Sequence, residues 1–209
     1  MPHPRTTTRF DVHPGVAMIQ KWVAELPEKS GKTLEEWAAL LKEQKFPTLA
    51  VRRAWLKDTH GFGGNQAWWI AEYAEGQSTW DADPESYLRS ADEYVAAMFA
   101  GPKAELKPIF DKLVELGRSL GSDVKVCPCK TIVPFYRGRV FAEVKPSTRT
   151  RVDFSLALPK DRASVGRLRR NERKIAQKDR LTHTVAIARL SDIDPELAEW
   201  LKTAYELDG

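Results

Sequence analysis

Apolar residues recur at intervals of three and four through the first eighty positions, which predicts amphipathic helices. Four such stripes are present: Val16, Ile19, Trp22 and Val23; Trp37, Leu40 and Leu41; Val51, Trp55 and Leu56; and Ala67, Trp68, Ile70 and Ala71. The second helix is expected to begin at Thr33-Leu-Glu-Glu36, a capping box in which each end residue bonds the amide of the other. Four short helices, each with one apolar stripe, predict a small bundle.

The second half of the chain starts with a helical period and then changes to a period of two. One apolar helix face contains Leu106, Ile109, Phe110, Leu113, Leu116 and Leu120. Short segments rich in β-branched and aromatic residues then predict strands at 124–129, 131–136, 139–145, 151–158 and 182–190. Asp194 followed by Pro195 predicts the start of a last helix. This order indicates an α+β fold, in which a small N-terminal helical bundle precedes a largely antiparallel sheet with helices on one face.

Residues 76–84 have neither period and are rich in turn formers, which predicts a boundary between a helical domain at 1–80 and an α+β domain at 85–209. Charge changes across this boundary. Residues 1–90 hold eleven Lys or Arg against twelve Asp or Glu, whereas the remainder holds twenty-two against seventeen. The first part therefore has a net charge of −1 and the second a net charge of +5.

Positive charge is concentrated between Lys130 and Arg180, where fifteen Lys or Arg face five Asp or Glu. Binding to phosphates is the commonest reason for such a concentration, because each neutralised phosphate releases counterions. A solvated basic loop is the alternative. Within this region, 160–178 has few apolar residues, too few to bury enough surface, and we expect it to be the most mobile part of its domain. The alternative is a short basic helix, because Leu168 and Ile175 are seven positions apart and could share one face.

The predicted strand ending at Leu158 separates two kinds of side chain by alternation. Val152 and Phe154 take one face, and Arg149, Arg151 and Asp153 take the other. Arginine binds phosphate or carboxylate in a bidentate manner, and Asp153 is placed to hold the guanidinium groups. The polar face is thus a candidate cationic groove. The alternative is that Arg151 and Asp153 only pair with each other on a solvated face.

Glycines at 61, 63 and 64 separate the third and fourth predicted helices. Gly61-Phe-Gly63 and the residues after it resemble the helix-hairpin-helix motif, in which the glycine loop and the next helix start donate backbone amides to a DNA phosphate. The resemblance covers about ten residues and implies a second phosphate contact at Gly61 and Gly63. The alternative is a helical hairpin whose glycines only permit a sharp turn.

Two further groups of residues are candidates for chemistry. Glu143-Val-Lys145 on a strand, with Asp123 as a second carboxylate, is the pattern of a metal-dependent nuclease site. Cys127 and Cys129 provide two thiols for a soft metal, although small buried side chains are the simpler interpretation. We predict no catalytic residue, metal or cofactor from these patterns.

Two longer stretches resemble known bacterial domains of unknown function. Lys29-Ser-Gly-Lys-Thr-Leu-Glu-Glu-Trp37 followed by His60-Gly-Phe-Gly63 is similar to a helical domain over about residues 12–75. Pro146-Ser-Thr-Arg-Thr-Arg-Val-Asp153 is similar to a second domain over about residues 90–208, one associated with predicted nucleases and restriction-linked proteins. The resemblance implies two domains and a bacterial cytoplasmic setting, without a defined activity.

Together these patterns predict a soluble cytoplasmic protein that binds nucleic acid or another polyanion without catalysing a reaction. No apolar run reaches the ~18 residues of a membrane span, and the first ten residues lack a signal-peptide pattern. The alternatives are a metal-dependent nuclease-like enzyme and a small-anion or protein-interaction module; the oligomeric state is left open. The candidate binding residues are Lys130, Thr131, Arg137, Arg149, Arg151, Asp153, Gly61 and Gly63.

Overall fold

The computed structural model describes residues 9–76 and 83–208. These residues form two compact units, one within Pro14–Arg89 and one that joins residues 9–13 to Ser90–Gly209. The predicted boundary at 76–84 lies mostly outside the described residues. None of the helices in the described ranges is long and apolar enough to cross a bilayer.

The helical unit contains the four predicted helices, α1 (Pro14–Ser30), α2 (Leu34–Glu43), α3 (Leu49–His60) and α4 (Gly64–Ala74). The capping box at the start of α2 is confirmed: the Glu36 amide donates to Thr33 Oγ1 at 3.2 Å, and the Thr33 amide donates to Glu36 Oε2 at 2.7 Å. The apolar stripes meet in one core that includes Trp37, Leu41 and Ile70.

In the second unit, helices come before and after the sheet along the chain. α5 (Pro84–Met98), which belongs to this unit from Ser90 onward, leads into a 3₁₀ helix (Gly101–Leu106) and α6 (Lys107–Arg118), and α8 (Pro195–Glu206) is the last helix. The single predicted helix from Leu106 to Leu120 is therefore shorter. Asp194 caps α8 by accepting from the Leu197 amide at 2.9 Å, as its sequence predicts.

The sheet is antiparallel and has the strand order β1-β2-β3-β4-β6-β5. Its strands are β1 (Lys125–Val126), β2 (Val133–Tyr136), β3 (Val140–Lys145), β4 (Val152–Leu156), β5 (Leu168–Arg170) and β6 (His183–Ile187). All five predicted strands are present in shorter form, and the α+β class is confirmed.

The segment 160–178 contains a strand, β5, that was not predicted, and a short helix. β5 pairs with β6, and the helix α7 (Glu172–Ala176) follows it, so the helix considered as an alternative includes Ile175 but not Leu168. Leu168 lies opposite Val185 and is completely buried. The expectation that its apolar residues could not be buried was wrong at Leu168, because pairing with a distant strand supplies the buried surroundings that local composition lacks.

The core lies between one face of the sheet and helices α6 and α8. Val144, Phe154 and Val185 are in register across three strands and are all completely buried, as the alternation predicted for Phe154. α6 approaches the sheet at Gly117, where a Cβ atom would lie 2.5 Å from Phe135 Cε2. Glycine is therefore required at this helix position.

Residues before α1 pack on the second unit. The Asp11 amide donates to the Val126 carbonyl at 3.0 Å, and the Asp11 carboxylate accepts from Arg118 at 2.6 Å. The rings of Phe10 and Phe110 are in contact, with centroids 6.4 Å apart. These contacts join parts of the chain that are about a hundred residues apart, and no local pattern indicates them.

Candidate anion-binding pocket

The turn between β1 and β2 presents two of the predicted binding residues. The Cys129 amide donates to the Ile132 carbonyl at 2.8 Å, which closes the hairpin and leaves Lys130 and Thr131 at its tip. Both tip residues are exposed. Pro128 lacks an N–H, but it lies between Cys127 and Cys129, whose amides both donate across the hairpin, so it does not interrupt these bonds.

The turn between β3 and β4 presents a third predicted binding residue, Arg149. Lys145 and Asp153 form the last residue pair of these strands, and the chain reverses through Pro146–Arg151. Within the reversal, the Thr148 amide donates to the Arg151 carbonyl at 3.4 Å, so Arg149 lies at the tip. In an antiparallel sheet, the β1–β2 and β3–β4 turns lie at the same end of the sheet, because strand direction alternates.

The two turns and the residues around the 3₁₀ helix enclose an open pocket of about 640 Å³. Lys103 fixes one side of it, because its Nζ donates to the Pro146 carbonyl at 2.6 Å. The pocket is lined by Ala97, Met98, Ala100, Pro102, Lys103, Lys130, Thr131, Lys145, Pro146, Ser147 and Arg149. The structure therefore brings together Lys130, Thr131 and Arg149, which were predicted from sequence, and adds Lys103 and Lys145.

The charge of this pocket is entirely positive. Lys103, Lys130, Lys145 and Arg149 line it, and no Asp or Glu is among the described residues that do so. Across the described chain, none of these four side chains forms an ion pair. Four cations held around one concavity repel each other, and a bound anion removes that repulsion.

Backbone donors add to these charges. Within the described ranges, the amides of Lys130, Thr131 and Ile132 have no hydrogen-bond acceptor, although they follow one another at the hairpin tip. Unpaired backbone amides are strong hydrogen-bond donors that a bound anion can satisfy. The Thr131 hydroxyl supplies a further donor beside them. The hairpin tip thus offers backbone and hydroxyl donors next to the cationic side chains of the pocket.

Most other cations of the basic region have different surroundings. In the described chain, seven of the fifteen between 130 and 180 form ion pairs: Arg137, Arg139, Arg151, Arg167, Arg170, Lys174 and Arg180. Arg139 and Arg180 both contact Asp208, whose side chain is completely buried. The basic region is therefore partly neutralised within the fold. Among its described cations without an ion pair, Lys130, Lys145 and Arg149 line the pocket, and Lys160, Arg162, Arg169, Arg173 and Lys178 lie outside its lining.

Three predicted site residues lie in ion pairs outside the pocket lining. Arg137 Nε donates to Asp123 Oδ2 at 2.8 Å, and its guanidinium carbon lies 4.3 Å from the centre of the Tyr205 ring. Arg151 Nε donates to Asp153 Oδ1 at 3.0 Å, which is the pairing considered above as the alternative to a groove. A role for these residues in binding stays a prediction.

Gly61 and Gly63 belong to the helical unit, where they form the turn between α3 and α4. Gly61 has a φ of 70°, a conformation that favours glycine. The Gly61 amide donates to the Lys57 carbonyl at 3.0 Å, and the Gly63 amide donates to Gln66 Oε1 at 3.1 Å. Both amides thus form hydrogen bonds within the turn. Their contact with phosphate stays a prediction, and the pocket of the second unit is described independently of it.

The second face of the sheet is partly covered, whereas the sequence analysis expected an open groove. Ser155 is only 5% exposed, and its hydroxyl is 3.2 Å from that of Thr184. Lys174 of α7 approaches Glu143, with Nζ 3.9 Å from Oε1. Burial raises the pKa of Glu143, and the charge of Lys174 partly offsets that rise.

The residues considered for metal chemistry have other partners. Asp123 accepts from Arg137 and from the Tyr205 hydroxyl, both at 2.8 Å, and these bonds lower its pKa. Burial raises the pKa of Cys127 to about 12 and that of Cys129 to about 11, so both thiols are protonated at neutral pH. In the part of the chain that the structure describes, no three His, Cys, Asp or Glu side chains are grouped to hold a metal ion.

Two models of protein families match the chain. Domain of unknown function (DUF5655) matches residues 95–208, and Domain of unknown function (DUF4287) matches residues 18–76. The resemblance to two domains of unknown function is thereby confirmed. No curated protein and no solved structure matches the chain.

Proposed function

This chain belongs to the family DUF5655, domain of unknown function, and we propose that it binds a polyanion, nucleic acid before any other, through phosphate contacts in the pocket between its two hairpin turns. It would do so in the bacterial cytoplasm, where nucleic acid is accessible. The proposal involves no catalysis.

One observation carries this proposal: four cations line a single pocket, and none of them forms an ion pair within the described residues, although the charge of Lys145 acts on Glu143 and lowers its pKa slightly against the effect of burial. Elsewhere in the same domain, arginines are neutralised by Asp123, Asp194 and Asp208. A fold that pairs its cations in several places and leaves four unpaired in one concavity has the electrostatics of an anion site.

The size and the walls of the pocket agree with a ligand larger than a simple ion. Its volume of about 640 Å³ is within the range of sites that hold small organic ligands, roughly 300 to 1,000 Å³. Ala97, Met98, Ala100 and Pro102 form an uncharged part of its lining. Such a lining accommodates a sugar or a base without hydrogen bonds that would select one base, so binding should show little sequence preference.

Fluorescence anisotropy with labelled single-stranded and double-stranded DNA and RNA tests this function. The informative variant is Lys130→Ala/Arg149→Ala, which removes two pocket cations that lie at turn tips. The matched control is Lys112→Ala/Lys202→Ala, which removes the same charge from exposed positions on α6 and α8, where each lysine pairs with a glutamate of its own helix.

We expect the pocket variant to bind about tenfold or more weakly than the unaltered protein, because each charged hydrogen bond contributes roughly 1.5–3 kcal/mol. The control should bind as the unaltered protein does. Absence of binding by the unaltered protein to every nucleic acid at low salt would refute the proposal, and equal losses in both variants would reduce it to a general effect of net charge.

A further inference from the structure

The donors of the pocket outnumber the acceptors that one internal phosphate of a nucleic acid offers. A phosphodiester has one negative charge and two unshared oxygens, whereas a phosphomonoester carries about −1.5 to −2 at pH 7 and three acceptor oxygens. The pocket is lined by four cations and by Thr131, and within the described residues the amides of Lys130 and Thr131 have no hydrogen-bond acceptor. This excess of donors suits the more highly charged group.

The shape of the pocket leads to the same ligand. Two protruding turns and the 3₁₀ helix border a concavity, and Lys103 ties one turn to that helix by its bond to the Pro146 carbonyl. An internal phosphate must bring a chain into the concavity and out again. A terminal phosphate enters with the chain on one side only, so its three oxygens reach donors from both turns.

Resting on the function proposed above, we propose that the pocket recognises a phosphomonoester, the terminal phosphate of a polynucleotide or of a free nucleotide, in preference to internal phosphodiesters. Lys130 and Arg149 supply the mobile charges from the two turns. The amides of Lys130 and Thr131, which have no acceptor within the described residues, supply backbone donors that do not depend on side-chain conformation.

The test compares single-stranded oligonucleotides of one sequence that differ only at the 5′ end, phosphate or hydroxyl, each with a fluorophore at the 3′ end. A second pair carries the phosphate or hydroxyl at the 3′ end and the fluorophore at the 5′ end. We expect about tenfold tighter binding of at least one phosphorylated oligonucleotide than of its hydroxyl partner, since the added phosphate oxygens accept hydrogen bonds from charged donors.

Competition identifies the source of the phosphate. A nucleoside monophosphate that displaces the phosphorylated oligonucleotide at comparable concentration indicates free nucleotides, whereas weak displacement indicates polynucleotide ends. Inorganic phosphate is the third competitor and measures the contribution of the phosphate alone. Either outcome with nucleotides supports recognition of a monoester.

The pH dependence provides a readout that a general effect of charge would not produce. The second ionisation of a phosphomonoester has a pKa of about 6, so the preference for the phosphorylated end should shrink as the pH falls from 7.5 to 5.5. Lys130→Ala should reduce that preference several-fold, and Lys202→Ala should leave it unchanged.

The failures of the two proposals are distinguishable. If both phosphorylated oligonucleotides bind no better than their hydroxyl partners while all of them bind, recognition of a monoester is overturned and the function as a polyanion-binding protein stands. If no oligonucleotide binds and no nucleotide or inorganic phosphate shifts the thermal unfolding midpoint, both fail.

Discussion

The salt dependence of binding gives the sharpest test of the pocket, because its slope counts the phosphate contacts. Four unpaired cations line the site. Each contact with single-stranded nucleic acid contributes about −0.7 to the slope of log K against log salt, so four contacts predict a slope of about −2.8. Lys130→Ala/Arg149→Ala leaves two contacts and a slope of about −1.4.

These slopes correspond to a large measurable difference. Between 50 and 200 mM salt, the affinity of the unaltered protein should fall about 50-fold, and that of the double variant only about 7-fold. Anisotropy titrations at four salt concentrations measure both. Lys112→Ala/Lys202→Ala, which carries the same net charge as the pocket variant, should keep the steeper slope.

The stability of the double variant is the necessary control. Lys130 and Arg149 are exposed turn residues without ion pairs in the described chain, so each substitution should change the free energy of unfolding by no more than about 0.5 kcal/mol. Equal salt slopes for the pocket variant and the unaltered protein would refute the assignment of the site. A marked fall in the thermal unfolding midpoint would show that these residues support the fold instead.

Three further predictions concern the fold. Gly117→Ala should lower stability in urea denaturation by about 1–3 kcal/mol, because the new Cβ would lie 2.5 Å from the buried Phe135 ring; an unchanged or raised midpoint would contradict the packing of α6. Asp208→Ala should lower the free energy of unfolding by about 3 kcal/mol in thermal unfolding, since Arg180 would lose the buried carboxylate with which it pairs; a loss below 1 kcal/mol would contradict a stabilising role for this pair. Burial raises the pKa of Glu143, so the native state binds this proton more tightly than the unfolded chain does. The stabilisation that this tighter proton binding gives is complete below the ordinary glutamate pKa of 4.5, and it is lost as the pH rises through the pKa of Glu143 in the folded state. Glu143→Gln should therefore gain stability relative to the unaltered protein between pH 4 and 7, and a constant difference across that range would refute the argument.

Local patterns were sufficient for the features that depend on neighbours in the chain. The capping box of Thr33 and Glu36 and the cap of α8 at Asp194 form as their sequences predict. The alternation that buries Val152 and Phe154 is likewise a property of any strand with one covered face. Each of these depends on residues within a few positions of one another.

Features that depend on distant residues were missed or misjudged. β5 is three residues long, and Leu168 is buried only because β6 lies beside it. Lys103 comes from a 3₁₀ helix and reaches the pocket through a bond to Pro146, forty-three residues away. No period or motif in a single sequence reports such a pairing, although Lys145 could have been found from its position at the end of a strand before a turn.

The sequence by itself determined the α+β class, the types of most elements and the surplus of positive charge between Lys130 and Arg180, because these follow from composition and from periods of two and 3.6 residues. Only the tertiary structure decided which cations remain unpaired. Arg139 pairs with Asp208, sixty-nine residues away in the chain, whereas Lys130 and Arg149 lie at the tips of turns at one end of the sheet. Ion pairing depends on distance in space, and the direction of the strands sets that distance.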